Sequence, residues 1–379
     1  MPELIKLDKN IFNHKNPYTI GVEEEYMLCD PESGELISKA NEFMKCLNKK
    51  EVNRFSYELI LSEIESNTPI CKNVKEAMKE ISRLRQKSID ICEKIQCKLG
   101  VSGTHPTSLP QNQDFVDTKG YNWVANQLKY YAKRNNTFAL HIHIAVENAE
   151  TSIHVVNALR RWIPPLLAIS VNSPFFMGEN TGMKSSRTMQ FSAFPRTHIP
   201  NKFENYKHYK NIVETYLDIE TIEKTRQIWW KIRPHFDYGT IEFRICDIQR
   251  SLKITEILIG VCQALVYQSV LDLKNGVLNE DLDLEFLNDG LWKATRFGLK
   301  SSIYDTGDKQ KKTMIEMIET MFEYSKNALI IFENDHIYDF KNSLKNYKTE
   351  ADLQIEEYEK NGFNGLRNYL VNNVDINLY

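Results

Sequence analysis

Residues 19–30 read TIGVEEEYMLCD, three glutamates set between Val22 and the apolar run Tyr26-Met27-Leu28. The flanks predict a strand over 18–29 that enters a core, followed by a turn at DPESGELIS (30–38). Side chains on a strand alternate faces. Glu23 and Glu25 therefore share one face, and Glu24 takes the other. Carboxylates in a row are ordinary on a solvated helix, but in a strand heading inward something must hold their charge.

The same parity test works along the chain. TFALHIHIAV (137–146) predicts a strand with His141 and His143 on one face and Ile142 and Ile144 behind. IWWKIRP (228–234) and YGTIEFRICDI (238–248) predict two short strands joined by a turn at Pro234–Gly239. In the second of these, Glu242 and Arg244 share a face, with Ile241, Phe243 and Ile245 behind. YELILSEIESNTP (57–69) adds Glu58, Glu63 and Glu65. Taken singly, each pair fits a solvated strand face or a surface ion pair. Together they repeat one design: functional side chains in front, core residues behind. If the strands adjoin, their carboxylates cannot all stay charged without cations. Oxygen-rich sites of this kind suit Mg²⁺ or Mn²⁺, so divalent ions are expected to hold the glutamates.

Around these strands the pattern is helical. Apolar residues from Val74 to Leu99 fall at helical spacing, with Gly100 as the expected stop. A second helix is expected over about 151–171, a loop over 178–200, and a mostly helical chain from Lys253 onward. Strands and long helices mix without β-α-β alternation. The expected class is α+β, an antiparallel sheet cradle with helices packed behind it and a helical C-terminal part, in one domain over 1–379.

The chain has 379 residues, 42% hydrophobic and 26% charged, which suits a globular protein with a sizeable core. Its 48 basic and 51 acidic residues leave a net charge of −3, so no global field attracts nucleic acid or an anionic membrane. No apolar run approaches the roughly 20 residues of a membrane span. The opening MPELIKLDKN lacks the apolar centre of a signal peptide. Seven scattered cysteines form no C-x-x-C pair, which points to reduced thiols and a cytoplasmic setting.

These segments resemble the carboxylate–amine ligase family, also called glutamate–cysteine ligase type 2, a distant relative of glutamine synthetase. The matching stretches are GVEEEYMLCDPESGEL, YELILSEIESNTPIC, SGTHP, LHIHI, TGMKSSRTMQFSAFPRTHIP, IWWKIRPHFDYGTIEFRICD and LWKATRFGL, in family order over about residues 18–300. The resemblance implies a glutamine synthetase-like cradle and an ATP-dependent ligase using Mg²⁺ or Mn²⁺. In such an enzyme a carboxylate takes the γ-phosphoryl group of ATP, and an amine attacks the acyl phosphate. Glutamate and cysteine are the implied pair, giving γ-glutamylcysteine for glutathione biosynthesis. The alternative keeps the mechanism and changes the amine or the carboxylate. Amino acids, as small-molecule substrates, are the implied partners, and a homodimer is the implied assembly.

Carried over by position, Glu23, Glu25, Glu58, Glu65, His141 and Glu242 match metal-binding positions. His143 matches a group near the nucleotide, and Arg244 one that faces the transferred phosphoryl. Arg187 and Arg233 fall in motifs that bind phosphate or a substrate carboxylate. Glu63 stands where relatives often carry an amide, and His105 of the GTHP loop has no assigned role. Two rival classes remain in view. A zinc amidohydrolase also uses His-x-His, but needs further histidines and an aspartate on a parallel barrel. A non-catalytic nucleotide-binding relative would be expected to lose some of these positions. No G-x-x-x-x-G-K-[ST] occurs, so a P-loop is not the nucleotide site.

Overall fold

The strand that carries the three glutamates, β1 (Ile20–Cys29), is an inner strand of the main sheet. The computed structural model describes residues 9–12 and 15–377. Its further strands are β2 (Phe55–Tyr57), β3 (Glu63–Asn67), β4 (Lys98–Gly100), β5 (Leu140–Ala145), the small hairpin β6 (Phe175–Phe176) and β7 (Glu179–Asn180), β8 (Ile232–His235), β9 (Thr240–Phe243), and a second hairpin, β10 (Ser302–Asp305) and β11 (Gln310–Thr313). Seven strands form one sheet in the order β2-β3-β1-β5-β9-β8, with β4 paired to the far end of β1. Every pairing in it is antiparallel, as expected for an α+β protein.

The long helices pack on one face. Helix Val74–Lys94 packs on β1, Leu252–Lys274 on β5, and Ala149–Leu159 on β8 and β9. The back-facing residues Val22, Ile142, Ile144, Ile241 and Phe243 join Ile81, Val156 and Leu258 in the main core. Each fully buried aliphatic or aromatic side chain of this kind contributes about 1.5–3 kcal/mol of transfer free energy. With one face occupied in this way, the other is left for polar groups.

Helix Leu252–Lys274 is long and apolar enough to cross a membrane by length and composition alone. That was not apparent from the sequence, because Glu256 and Gln263 interrupt the apolar run. In the fold, 83% of its most apolar window is buried, which makes it the central core helix.

Local departures from the sequence expectations have simple causes. The helix expected to reach Leu99 ends at Lys94, because Gln96 adopts a left-handed φ of 58° that reverses the chain. Leu99 and Gly100 then belong to β4, opposite Leu28 and Met27. Gly100 is thus a strand residue and not a helix stop. A Cβ there would meet Cys29 Sγ at 2.9 Å and Met27 Cβ at 3.3 Å. The helix expected over 151–171 begins earlier, at Ala149 behind an Asn148 cap, and is interrupted by a 3₁₀ turn before Ile163–Ser170, which opens on Pro164-Pro165. The expected loop at 178–200 contains a short helix, Ser186–Phe191, capped by Ser185. All seven cysteines are unpaired.

Candidate active site

The register of the sheet brings the polar faces together. Glu25 lies opposite Glu65, Glu23 opposite His141, and Glu242 opposite both His143 and Arg233. All of them project from the face that the helices leave open. Glu24 projects from the other, where Arg85 of helix Val74–Lys94 receives it.

On the open face Glu23 bridges two histidines. Its Oε2 lies 3.0 Å from His141 Nδ1, and its Oε1 lies 3.3 Å from His143 Nε2, without hydrogen-bond geometry in the second case. Burial opposes the Glu23 charge, but the two imidazoles outweigh it and hold its carboxyl well below the usual range. Glu25 Oε2 accepts the backbone N–H of Ala139 at 2.5 Å, and its Oε1 lies 3.8 Å from His141 Nε2. His143 Nδ1 meets Thr240 Oγ1 at 2.9 Å. Glu242 accepts from Arg233 Nε and from Arg244 Nη1. These two guanidiniums overcome burial and keep its carboxyl well below the carboxylate range.

Two donor sets result: Glu23, His141 and Glu242, and Glu25, Glu65 and His141, with the ligand atoms of each within 4.8 Å of one another. His141 is common to both. Its Nε2 is buried and has no hydrogen-bond partner among the described residues. Burial, then the Arg244 charge, pushes this imidazole below its ordinary pKa, so it is neutral and offers a lone pair. Toward β3 three further carboxyls resist ionisation. Glu65 is pushed up to about 8 by burial and by Glu23 and Glu25. Glu58 and Glu63 are raised well above the ordinary value by burial and by neighbouring carboxylates. An orphaned imidazole nitrogen amid carboxyls that repel one another fits divalent cations on oxygen and nitrogen ligands.

The remaining sequence candidates are spread around this centre. Glu58 is half-buried in the turn before β3, against Glu65 but outside both donor sets. Glu63 lies opposite Met27 at the far end of the same row. Arg233 also donates to the carbonyls of Arg226, at 3.0 Å, and Ile228, which fixes it beside Glu242. Arg187, on the short helix, donates to the carbonyls of Arg244 and Ile245 at 2.9 and 3.1 Å. Its geometry supports the strand that carries Arg244. His105 is elsewhere: Nε2 donates to the Gly34 carbonyl at 2.8 Å and Nδ1 accepts from Ser108 N at 2.9 Å. Burial pushes His105 down to about 4, so it is a neutral pin between two loops.

Three residues escaped the sequence reading. Arg85 sits in a helix of ordinary charge pattern, and nothing local marks it. Lys231 and His235 were within reach, since they share the parity of Arg233 in KIRPH, and both are buried on the open face.

A glutamate-rich central strand, a His-x-His strand and a Glu-x-Arg strand side by side on one face of an antiparallel sheet define the glutamine synthetase-like class. The fold is shared with a glutamate–cysteine ligase from Francisella tularensis solved in complex with AMP, at a TM-score of 0.74 and 11% identity over 95% of this chain and 88% of that one. It is shared too with a bifunctional glutathione synthetase from Pasteurella multocida, at 0.71 and 14%, covering 96% of this chain and 52% of that one. By sequence, residues 19–335 match glutamate-cysteine ligase family 2, and the chain belongs to that family. A protein of Solibacter usitatus, provisionally named glutamate–cysteine ligase 2, is 30% identical over 95% of this chain and 94% of its own length.

Proposed function

We propose that the protein is an ATP-dependent carboxylate–amine ligase that joins the γ-carboxylate of glutamate to the amino group of cysteine, with ADP and phosphate as the other products. The observation that carries this reading is the pair of carboxylate–imidazole donor sets that share His141, with Arg244 against Glu242 at their edge. Family membership and the nucleotide bound by the Francisella enzyme support it. Glu23, Glu25, Glu65, His141 and Glu242 would hold Mg²⁺ or Mn²⁺. When bound, ATP and its cations supply a phosphoryl leaving group and neutralise the charge that builds up as it moves.

The chain's own residues orient and screen. Glu242 fixes the Arg244 guanidinium, leaving its remaining N–H groups to meet anionic oxygens at the open face. Arg233 holds Glu242 from the other side, so the arginine–glutamate–arginine row is rigid before substrate arrives. His143, anchored through Thr240, sets an imidazole 3.3 Å from Glu23 and would face the nucleotide. The β-sheet and the helices behind it keep water from the back of the site. Amino acids, as small-molecule substrates, are the proposed partners, a homodimer the proposed assembly, and the cytoplasm the proposed location.

The test is to supply ATP, Mg²⁺ and glutamate with each of the twenty amino acids, and to measure ADP release and the mass of the product. Release of ADP with cysteine, together with γ-glutamylcysteine, is expected. ADP release with no amino-acid pair, or hydrolysis of an amide without ATP, would overturn the reading.

A further inference from the structure

Lys231 is a residue of the open face that the proposed chemistry leaves unused. It precedes β8 and has the parity of Arg233, and its carbonyl accepts the N–H of Arg244, so the two are cross-strand neighbours. The side chain is 3% exposed. Its ammonium makes no hydrogen bond or ion pair among the described residues, and its contact is the face of Phe191, 5.5 Å from the ring centroid. Burial, then the charges of Arg187 and Arg244, pushes it down to about 7. The carboxylate that pulls the other way is Asp247, which is already engaged by Asn172 N at 2.9 Å, Ser173 Oγ at 2.7 Å and Ser185 Oγ at 2.9 Å. A buried cation set beside two others, with no anion to meet it, is costly to keep. Next to it Arg244 Nε is likewise buried and without a hydrogen-bond partner among the described residues.

We propose that Lys231 and the open Nε of Arg244 form an anion pocket that holds a carboxylate of one amino-acid substrate, which makes Lys231 a specificity-determining residue. The proposal rests on the ligase reading. Two unfilled donors on neighbouring strands match the two oxygens of a carboxylate. A phosphoryl group is the other anion of the reaction, but its place is with the cation donors. Glu242, Glu25 and Glu23 act on Arg244, whereas the carboxylate acting on Lys231 is Asp247. Lys231 extends the edge strand β8, and Arg244 stands between it and β5 and β1, which carry His141, Glu23 and Glu25; an anion on that far side must be met by protein cations alone. Phe191 walls that side with an apolar ring, which strengthens the attraction by excluding water.

The experiment compares the full-length wild type with Lys231→Met and Lys231→Arg. Methionine fills the same volume without charge and removes an unmatched cation, so the Met variant should fold with a Tm at or above that of the wild type. With the amino-acid pair that supports ADP release, Lys231→Met should raise KM for one amino acid at least about tenfold. KM for ATP should stay within about threefold. Lys231→Arg should restore part of that loss, because a cation returns. Unchanged KM for both amino acids overturns the proposal, and so does a rise confined to ATP, which would mean a phosphoryl site. Calorimetric titration of glutamate and of orthophosphate into both proteins gives a readout independent of turnover. If no pair releases ADP, the ligase reading fails by itself, and the titrations decide the pocket. Glutamate bound at least tenfold more weakly by Lys231→Met sustains it; equal binding, or binding of orthophosphate alone, overturns it.

Discussion

Glu24 and Arg85 meet behind the sheet through two hydrogen bonds, Nη2 to Oε1 at 2.5 Å and Nε to Oε2 at 3.0 Å, with both side chains buried. Tyr26 donates its hydroxyl to the same carboxylate. Arg85 also donates to the carbonyls of Gln249, Arg250 and Asp375 at 2.7, 2.9 and 3.1 Å. The middle glutamate is therefore held by an arginine, while its two neighbours face the proposed cations. Arg85→Ala strands a carboxylate in the core and should cost about 3–5 kcal/mol. Urea denaturation measures it. A loss under about 1 kcal/mol would show that the ion pair is not needed to hold Glu24.

Glu25→Gln separates charge from shape. The amide oxygen can still accept the Ala139 N–H, so the fold should persist, while one charge leaves the second donor set. Turnover should fall at least about 100-fold, as for loss of one principal electrostatic contact. Activity near that of the wild type would remove Glu25 from the ligand set.

His141 and His143 face the same way but have different neighbours. His141 belongs to both donor sets and His143 to neither. His141→Ala should raise the Mg²⁺ concentration needed for half-maximal activity, and His143→Ala should chiefly raise KM for ATP. Metal and ATP titrations of both variants decide the matter; the same metal shift in each would contradict the division.

Stability without metal should depend on Glu65. Its carboxyl is raised from 4.5 to about 8, so between those pH values the folded chain binds a proton that the unfolded chain releases. The stabilising contribution is present in full below about pH 4.5 and is lost as pH rises through about 8. In EDTA the wild-type Tm should decline across that window more steeply than that of Glu65→Gln. Added Mn²⁺ should abolish the difference. Parallel Tm–pH profiles in EDTA would show that Glu65 ionises freely in the folded protein.

The open face was legible because strand parity is local: two residues apart means the same side, whatever the rest of the chain does. Glu23, Glu25, His141, His143, Glu242 and Arg244 are found by that rule alone, and the α+β class follows from the lack of alternation. Arg85 was not legible, since its partner lies 61 residues away and an arginine inside a helix has no feature that marks it as buried. Leu99 continues the helical spacing, so the sequence alone does not separate the three-residue β4 from the helix; only the reversal at Gln96 does. Lys231 lies within IWWKIRP, but parity alone does not mark it, because its meaning depends on what does not reach it.

A consequence for folding follows from β1. Three identical residues carry no register information: if the strand slid by one place, a glutamate would still face Arg85 and another would still face the open side. The sense of the pairing must come from the flanks, where Val22 enters the main core, Tyr26 reaches Glu24, and Met27 fits the space left by Gly100. Mispaired chains in this protein are therefore expected to arise from changes at Val22, Tyr26 or Gly100, and the glutamates themselves cannot correct them.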